Sequence, residues 1–163
     1  LANYKEQLLR TWNEWEDITG EDANNPDDFI DWAVAHGKLR PRPEDPHKIY
    51  RRQLSSVLRQ AMKIDEEGTT YRAKQCVTIV EQGAQRTLWF DVDKGGTPQL
   101  RQKAAKQRRD SIADDVFRAK SDVDHMSFAY PNDDQIQFEL DFTEDFEERK
   151  ALELLEYHQK KSG

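Results

Sequence analysis

Residues 77–92 read VTIVEQGAQRTLWFDV. Two runs rich in β-branched and aromatic residues flank a short polar break at Gln82-Gly83. Apolar residues alternate locally from Tyr71 to Val92, which suits a β-hairpin. Gln-Gly is a weaker turn signal than Asn-Gly, so a two-residue loop and a slightly longer one are both open. With two residues, Val77 faces Leu88 and Cys76 faces Trp89. A slip of one residue would exchange the two faces.

Helices are expected upstream. Tyr4, Leu8, Trp12, Trp15 and Ile18 recur at helical spacing over 3–18, and Gly20 follows as a stop. Asn25-Pro26 sets a cap and a first helical position for a second helix that carries Phe29, Ile30, Ala33 and Val34 and ends at His36-Gly37. KLRPRPEDP at 38–46 is an extended connector, because three prolines forbid a helix. Asp45 then caps a third helix that runs to about Lys63, with Tyr50, Leu54, Val57, Leu58 and Ala61 as its buried face. DEEGTT breaks the chain at Gly68.

Downstream, Thr97-Pro98 starts a long helix reaching about Met126, with a break expected near Asp110. QIQFELDF at 135–142 alternates cleanly and reads as one strand with a dry face, carrying Ile136, Phe138, Leu140 and Phe142. Thr143 caps a last helix through Tyr157. The fold class is therefore α+β: helix-helix-helix-hairpin, a long helix, one strand and a C-terminal helix. The expected domains are 1–93 and a helical extension, 94–163, packing on the first unit or on a partner.

Composition narrows the class. The 163 residues are 36% hydrophobic and 35% charged, so the core is modest and its area rests on four Trp, seven Phe and five Tyr. No apolar run is long enough to span a bilayer. Lys5, Glu6 and Arg10 interrupt any apolar start, which argues against a signal peptide in the opening residues given. Cys76 is the single cysteine, which excludes an intrachain disulfide and fits a reducing cytoplasm. It reads as a small core residue rather than a nucleophile.

Net charge is −7, which argues against a polyanionic partner, but the charge is segregated. Residues 36–63 hold eight bases against two acids, and residues 94–120 hold eight against three. The flanking blocks 1–35 and 121–163 carry nine acids against two bases and twelve against four. Local potential, not total charge, attracts a polyanion. The competing reading is that basic and acidic blocks neutralise each other within the fold.

The third helix carries Lys48, Arg52, Ser55, Ser56, Arg59 and Lys63 at spacings of three or four, flanked by Arg51 and Gln60. Long bases reach phosphates, small serines allow close approach, and Arg or Gln reads base edges. Lys38, Arg40 and Arg42 precede the helix and suit a nucleic-acid backbone. Arg72, Lys74 and Arg86 on the hairpin suit an adjacent phosphate or groove. Every amphipathic helix also has a solvated face, and Lys and Arg are common there. The block RQKAAKQRR, Arg101 to Arg109, either extends a phosphate track or pairs with acids of the last helix.

Catalytic signals are thin. Asp110, Asp114, Asp115, Asp122, Asp124 and His125 form the one carboxylate-plus-His run, and a metal-dependent nuclease would need such acids to converge. DVDH starts like a calcium loop, but Ser127 stands where Gly is required and Asp133 where Glu is. There is no phosphate-cradling Gly loop, His-x-x-x-His pair or nucleophile elbow. No catalytic residue, metal or cofactor is expected.

The order helix, helix, helix, strand, turn, strand over residues 3–93 resembles the winged-helix form of the helix-turn-helix, in which the third helix reads DNA and the hairpin is the wing. The resemblance is one of element order, not of a diagnostic motif. RAKQ, QRTLW, QRRDSI, KSDVD and LDFTED, spanning 72–145, resemble an uncharacterised bacterial family, which implies a bacterial origin and no activity. The expected function is non-catalytic nucleic-acid binding, duplex DNA first, through the third helix and the hairpin, in the cytoplasm. The alternative is a protein-interaction adaptor or subunit, in which the strand and helix of 135–160 form a homodimer or bind a protein partner by edge addition.

Overall fold

The computed structural model describes residues 3–163 and divides the chain into two compact units, Leu1–Ile49 and Tyr50–Gly163. The fold class is α+β, with five helices and two small antiparallel sheets among the described residues.

In the first unit, α1 spans Tyr4–Thr19 and α2 spans Pro26–Ala35. Asn3 and Glu6 form a capping box: the Glu6 amide donates to Asn3 Oδ1, and the Asn3 amide to Glu6 Oε2, both at 3.0 Å. Asn25 Oδ1 accepts the Asp27 amide ahead of α2, with Pro26 at the first helical position. The helices meet through aromatic rings. Trp12 lies edge-on to Phe29 with centroids 5.0 Å apart, and Trp15 tilts against Trp32 at 5.2 Å. Phe29 and Ala33 are buried beneath them.

Helix α3, Pro46–Gln60, begins with the Asp45 carboxylate accepting the His47 amide. It ends sooner than its periodicity predicts. Met62–Ile64 is strand β1, pairing antiparallel with β2, Thr70–Arg72. The turn between them dictates the change: Asp65 Oδ1 accepts the amides of Glu67 and Thr69, both at 3.0 Å, which folds the chain back on itself. The apolar face expected for α3 is also corrected. Tyr50, Leu54 and Val57 are 67%, 58% and 63% exposed, so no residue of the helix is buried.

Strands β3, Lys74–Glu81, and β4, Ala84–Asp91, form the expected hairpin. Gln82 and Gly83 both adopt positive φ, +50° and +76°, which defines a two-residue turn matched to strand twist. The register pairs Val77 with Leu88 and Cys76 with Trp89. Val77 is 1% exposed, and burying a side chain of this class contributes about 1.5–3 kcal/mol. Cys76 is half-buried, not core. The two hairpins are stitched at Ala73, whose amide donates to Ala61 O at 2.8 Å and whose carbonyl accepts the Val92 amide at 3.0 Å.

Helix α4 spans Pro98–Ala129, capped by Thr97 Oγ1, which accepts the Leu100 amide. It does not break near Asp110, and there Lys106 bonds Asp110 one turn on, at 2.7 Å. Its first half lies along the outer edge of β3. Ala104 is buried there, and the Gln107 side chain acts as a one-residue strand: the Thr78 amide donates to Gln107 Oε1 and Gln107 Nε2 donates to Thr78 O, both at 2.8 Å. The hairpin and this helix therefore share one unit.

Residues 135–142 are not a strand. Alternation alone does not supply a partner: no strand pairs with the segment among the described residues, and Ile136, Leu140 and Phe142 are exposed. Glu139 Oε1 instead takes the amides of Leu140 and Asp141. Helix α5, Thr143–Lys161, is started by Asp141 rather than Thr143. Asp141 Oδ1 accepts both the amide and the hydroxyl of Thr143, which lowers its carboxyl pKa. Helix α5 docks on the β1–β2 turn mainly by polar contacts. Glu153 Oε1 accepts the Thr70 amide at 2.7 Å, and the Tyr157 hydroxyl donates to Glu66 O at 3.0 Å. The Tyr157 ring lies where a side chain on Gly68 would begin, 2.6 Å from that position.

Gln107→Ala strands the Thr78 amide and carbonyl at a half-buried edge. The expected loss is about 1–3 kcal/mol, read as a lower urea midpoint with faster exchange of the Thr78 amide. An unchanged midpoint and unchanged exchange would show that Gln107 does not hold the helix.

Candidate functional site

Docking α4 on the β3 edge opens a cleft on each side of the seam. One, of about 410 Å³, has Tyr71, Phe90 and Val92 on the hairpin side and Ala104, Ala105 and Ile112 on the helix side. Arg72, Arg101, Arg108 and Arg109 also line it. The other, of about 340 Å³, contains Arg59, Lys74, Thr78 and Trp89. Arg72, Gln75, Ala104 and Arg108 line both. No acidic residue lines either one.

Helical spacing explains the grouping. Arg101, Ala104, Ala105, Arg108 and Ile112 fall three or four apart and share one face of α4. Ala104 is buried and lets the helix approach the sheet closely, so the flanking arginines are carried to the rim. From the other side, β2 delivers Arg72 and the end of α3 delivers Arg59, whose guanidinium lies 5.9 Å from the Trp89 ring centroid. Among the described residues, Arg72, Arg101, Arg108 and Arg109 form no ion pair.

The residues expected to make one surface are distributed differently. Lys38, Arg40 and Arg42 are in the first unit, where they line a small cleft with Tyr4 and Thr11. Lys38 pairs with Glu14 at 3.2 Å, and the Arg42 guanidinium sits 4.1 Å from the Tyr4 ring centroid. Lys48, on the first turn of α3, is exposed. Arg51 and Arg52 are exposed, and each has a partner within the chain. Ser55 is half-buried, and Ser56 Oγ accepts from Gln60 at 3.3 Å. Lys63 faces Asp93 at 3.6 Å, Lys74 bonds Asp91 at 2.8 Å, and Arg86 pairs with Glu81 at 3.3 Å. Of the expected set, Arg59, Arg72 and Lys74 come together with arginines of the second basic block. Within that block, Lys106 pairs with Asp110 of the same helix rather than with the last helix.

Tyr71, Gln75 and Phe90 are also at the clefts, and their place there was not read from the sequence. A usable signal was present: a small residue, Ala104, bracketed by Arg101 and Arg108 marks a helix face that packs closely with cations at its border.

The acids Asp110, Asp114, Asp115, Asp122 and Asp124 are strung along α4, and Lys120 bonds Asp124. Among the described residues, no group of three His, Cys, Asp or Glu is arranged to hold a metal ion, and no helix is long and apolar enough to cross a membrane.

The 91–96 loop sets the electrostatics beside the clefts. The Lys74 ammonium holds the Asp91 carboxyl far below the usual carboxylate range, helped by the amides of Asp93 and Lys94, which donate to Asp91 Oδ1 at 2.9 and 3.0 Å. The Tyr71 hydroxyl donates to Asp93 Oδ2 at 2.8 Å, which raises its pKa because the neutral phenol is the form that bonds. The sequence matches no protein-family model, and no curated protein or solved structure matches it either.

Because the folded-state pKa of Asp91 is depressed, its contribution to stability is complete above the unfolded value of about 4 and is lost as pH falls toward the folded one. Urea unfolding of wild type and Asp91→Asn between about pH 2 and 6 should show a stability gap that narrows on the acid side. A gap independent of pH would contradict the Lys74–Asp91 assignment.

Proposed function

We propose that the protein binds nucleic acid without catalysing a reaction on it, with duplex DNA as the first ligand to test. The observation that carries the reading is the set Arg72, Arg101, Arg108 and Arg109 around one cleft, with no acidic lining residue and no ion pair among the described residues. Guanidinium groups suit phosphate oxygens, to which they donate in pairs. Phosphate contact also releases counterions, so affinity at such a surface falls steeply with salt. The net charge of −7 does not by itself oppose this, since local rather than total charge attracts a polyanion and four arginines line the cleft.

The reading shifts the expected contact surface. Arg59 at the end of α3 stays in it, whereas Arg86 near the hairpin tip is held by Glu81. Lys38, Arg40, Arg42, Lys48, Arg51, Arg52, Ser55, Ser56 and Lys63 are not needed for it. A winged-helix-like use of α3 remains compatible with its exposed Lys48. Binding of this kind belongs with the nucleic acid of a bacterial cytoplasm.

A second reading has its own support. No strand pairs with the outer edge of β4 among the described residues, whereas α4 and Gln107 cover the opposite edge of the hairpin. An open eight-residue edge suits strand addition by a protein partner or a second copy. Light scattering that reports a monomer without partner would remove the dimer from this reading.

Fluorescence anisotropy with a labelled random duplex at two salt concentrations tests the main reading. Wild type should bind in a salt-sensitive way. Arg72→Ala with Arg108→Ala should bind more weakly, with the slope of log K against log salt shallower by about 0.9 for each phosphate no longer neutralised, while circular dichroism stays unchanged. Absence of salt-sensitive binding both to the duplex and to a single strand of the same sequence, or a double variant indistinguishable from wild type, would overturn it.

A further inference from the structure

We infer that the larger cleft holds an unpaired nucleobase, so that the preferred ligand is a nucleotide outside a duplex. The inference rests on the nucleic-acid reading above and adds what a purely electrostatic surface would lack: an aromatic floor held in place between guanidinium groups.

Two aromatic rings make that floor, and each is held by the loop after β4. Phe90 packs over Gly96, where φ is +77° and an added Cβ would stand 2.8 Å from Phe90 Cδ2. Glycine is required there both by the backbone and by the ring. Tyr71 is anchored by its hydroxyl bond to Asp93 Oδ2 at 2.8 Å. Neither ring must be ordered when a ligand arrives, which removes part of the entropic cost of binding. Gln75 is the register partner of Phe90 and lines the same cleft. Its amide can donate to and accept from a base edge.

Size and chemistry agree. A volume of about 410 Å³ suits a base and its sugar. The lining joins apolar groups, which suit the face of a base, to Arg72, Arg101, Arg108 and Arg109, which suit the phosphates on either side of it. In a duplex both faces of a base are covered by its neighbours, so the floor would go unused. In a single strand the base can turn out and stack on an aromatic ring. Free nucleotides share this chemistry with single strands.

Anisotropy with a labelled single-stranded oligonucleotide, and with the blunt duplex of the same sequence at the same salt, tests the inference. The single strand should bind tighter. Phe90→Ala should weaken its binding about tenfold or more and leave the duplex nearly unaffected. Phe90 also packs against Gly96, so a second variant guards against misfolding. Ala105→Trp fills the cleft from an exposed position on α4, removes no buried side chain, and should abolish the single-strand preference. Adenosine monophosphate should displace the strand if the cleft also takes free nucleotides. If it does not displace the strand while Ala105→Trp removes the preference, the cleft takes the base only as part of a strand. Equal binding of strand and duplex, with Ala105→Trp silent, would overturn the inference and leave nucleic-acid binding standing. Failure of both forms to bind would overturn both.

Discussion

The paired hydrogen bonds between the Gln107 amide and the Thr78 backbone are the interaction on which the arrangement depends. An edge strand carries a row of N–H and C=O groups that need partners. Here a single side-chain amide supplies both partners at Thr78, and it does so from a helix rather than a strand. The bonds fix where α4 lies along β3. Once they are made, Ala104 is buried against the sheet and the arginines one turn to either side lie at its border. The cationic clefts follow from this docking and do not exist on the hairpin or on the helix alone.

The fate of the positive charges follows a consistent logic. Lys38, Lys63, Lys74 and Arg86 each lie close to a carboxylate of the same unit, and exposed pairs of this kind add little stability. Lys74 is the exception in geometry, because Asp91 is also bonded by two backbone amides and so has a fixed position. That carboxylate organises the 91–96 loop, and the loop in turn anchors Tyr71 and Phe90. Acid and base therefore do different work in the 91–96 loop and around the arginine-lined cleft. Where they pair, they shape a turn. Where the acids are missing, the guanidinium groups face solvent around an apolar floor.

Much of the local structure was legible in the sequence. The starts of α1, α2 and α4 are written in Asn3, Asn25-Pro26 and Thr97-Pro98, because a side-chain oxygen accepts a free amide at each start and, at α2 and α4, proline removes another. Gln82-Gly83 left two loop lengths open, and the two-residue turn that forms leaves one register, pairing Val77 with Leu88. Strand β1 was missed because three residues carry no periodicity, and Asp65 folds the chain back only through bonds to later amides. Residues 135–142 show the opposite error, since alternation predicts a face but not a partner. The cluster at the α4–β3 seam was not legible because Arg72 and Arg108 are brought together by a tertiary contact. Periodicity along one helix could show Arg101 and Arg108 on a common face, but not what that face meets.

A ligand that binds at the seam between α4 and β3 must change the environment of the backbone there. Backbone amide chemical-shift mapping during titration with a short oligonucleotide tests that placement most directly. Shifts concentrated in Arg72–Thr78, Phe90–Val92 and Arg101–Ile112 are predicted. Shifts confined to residues before Tyr50, or to α5, would contradict it.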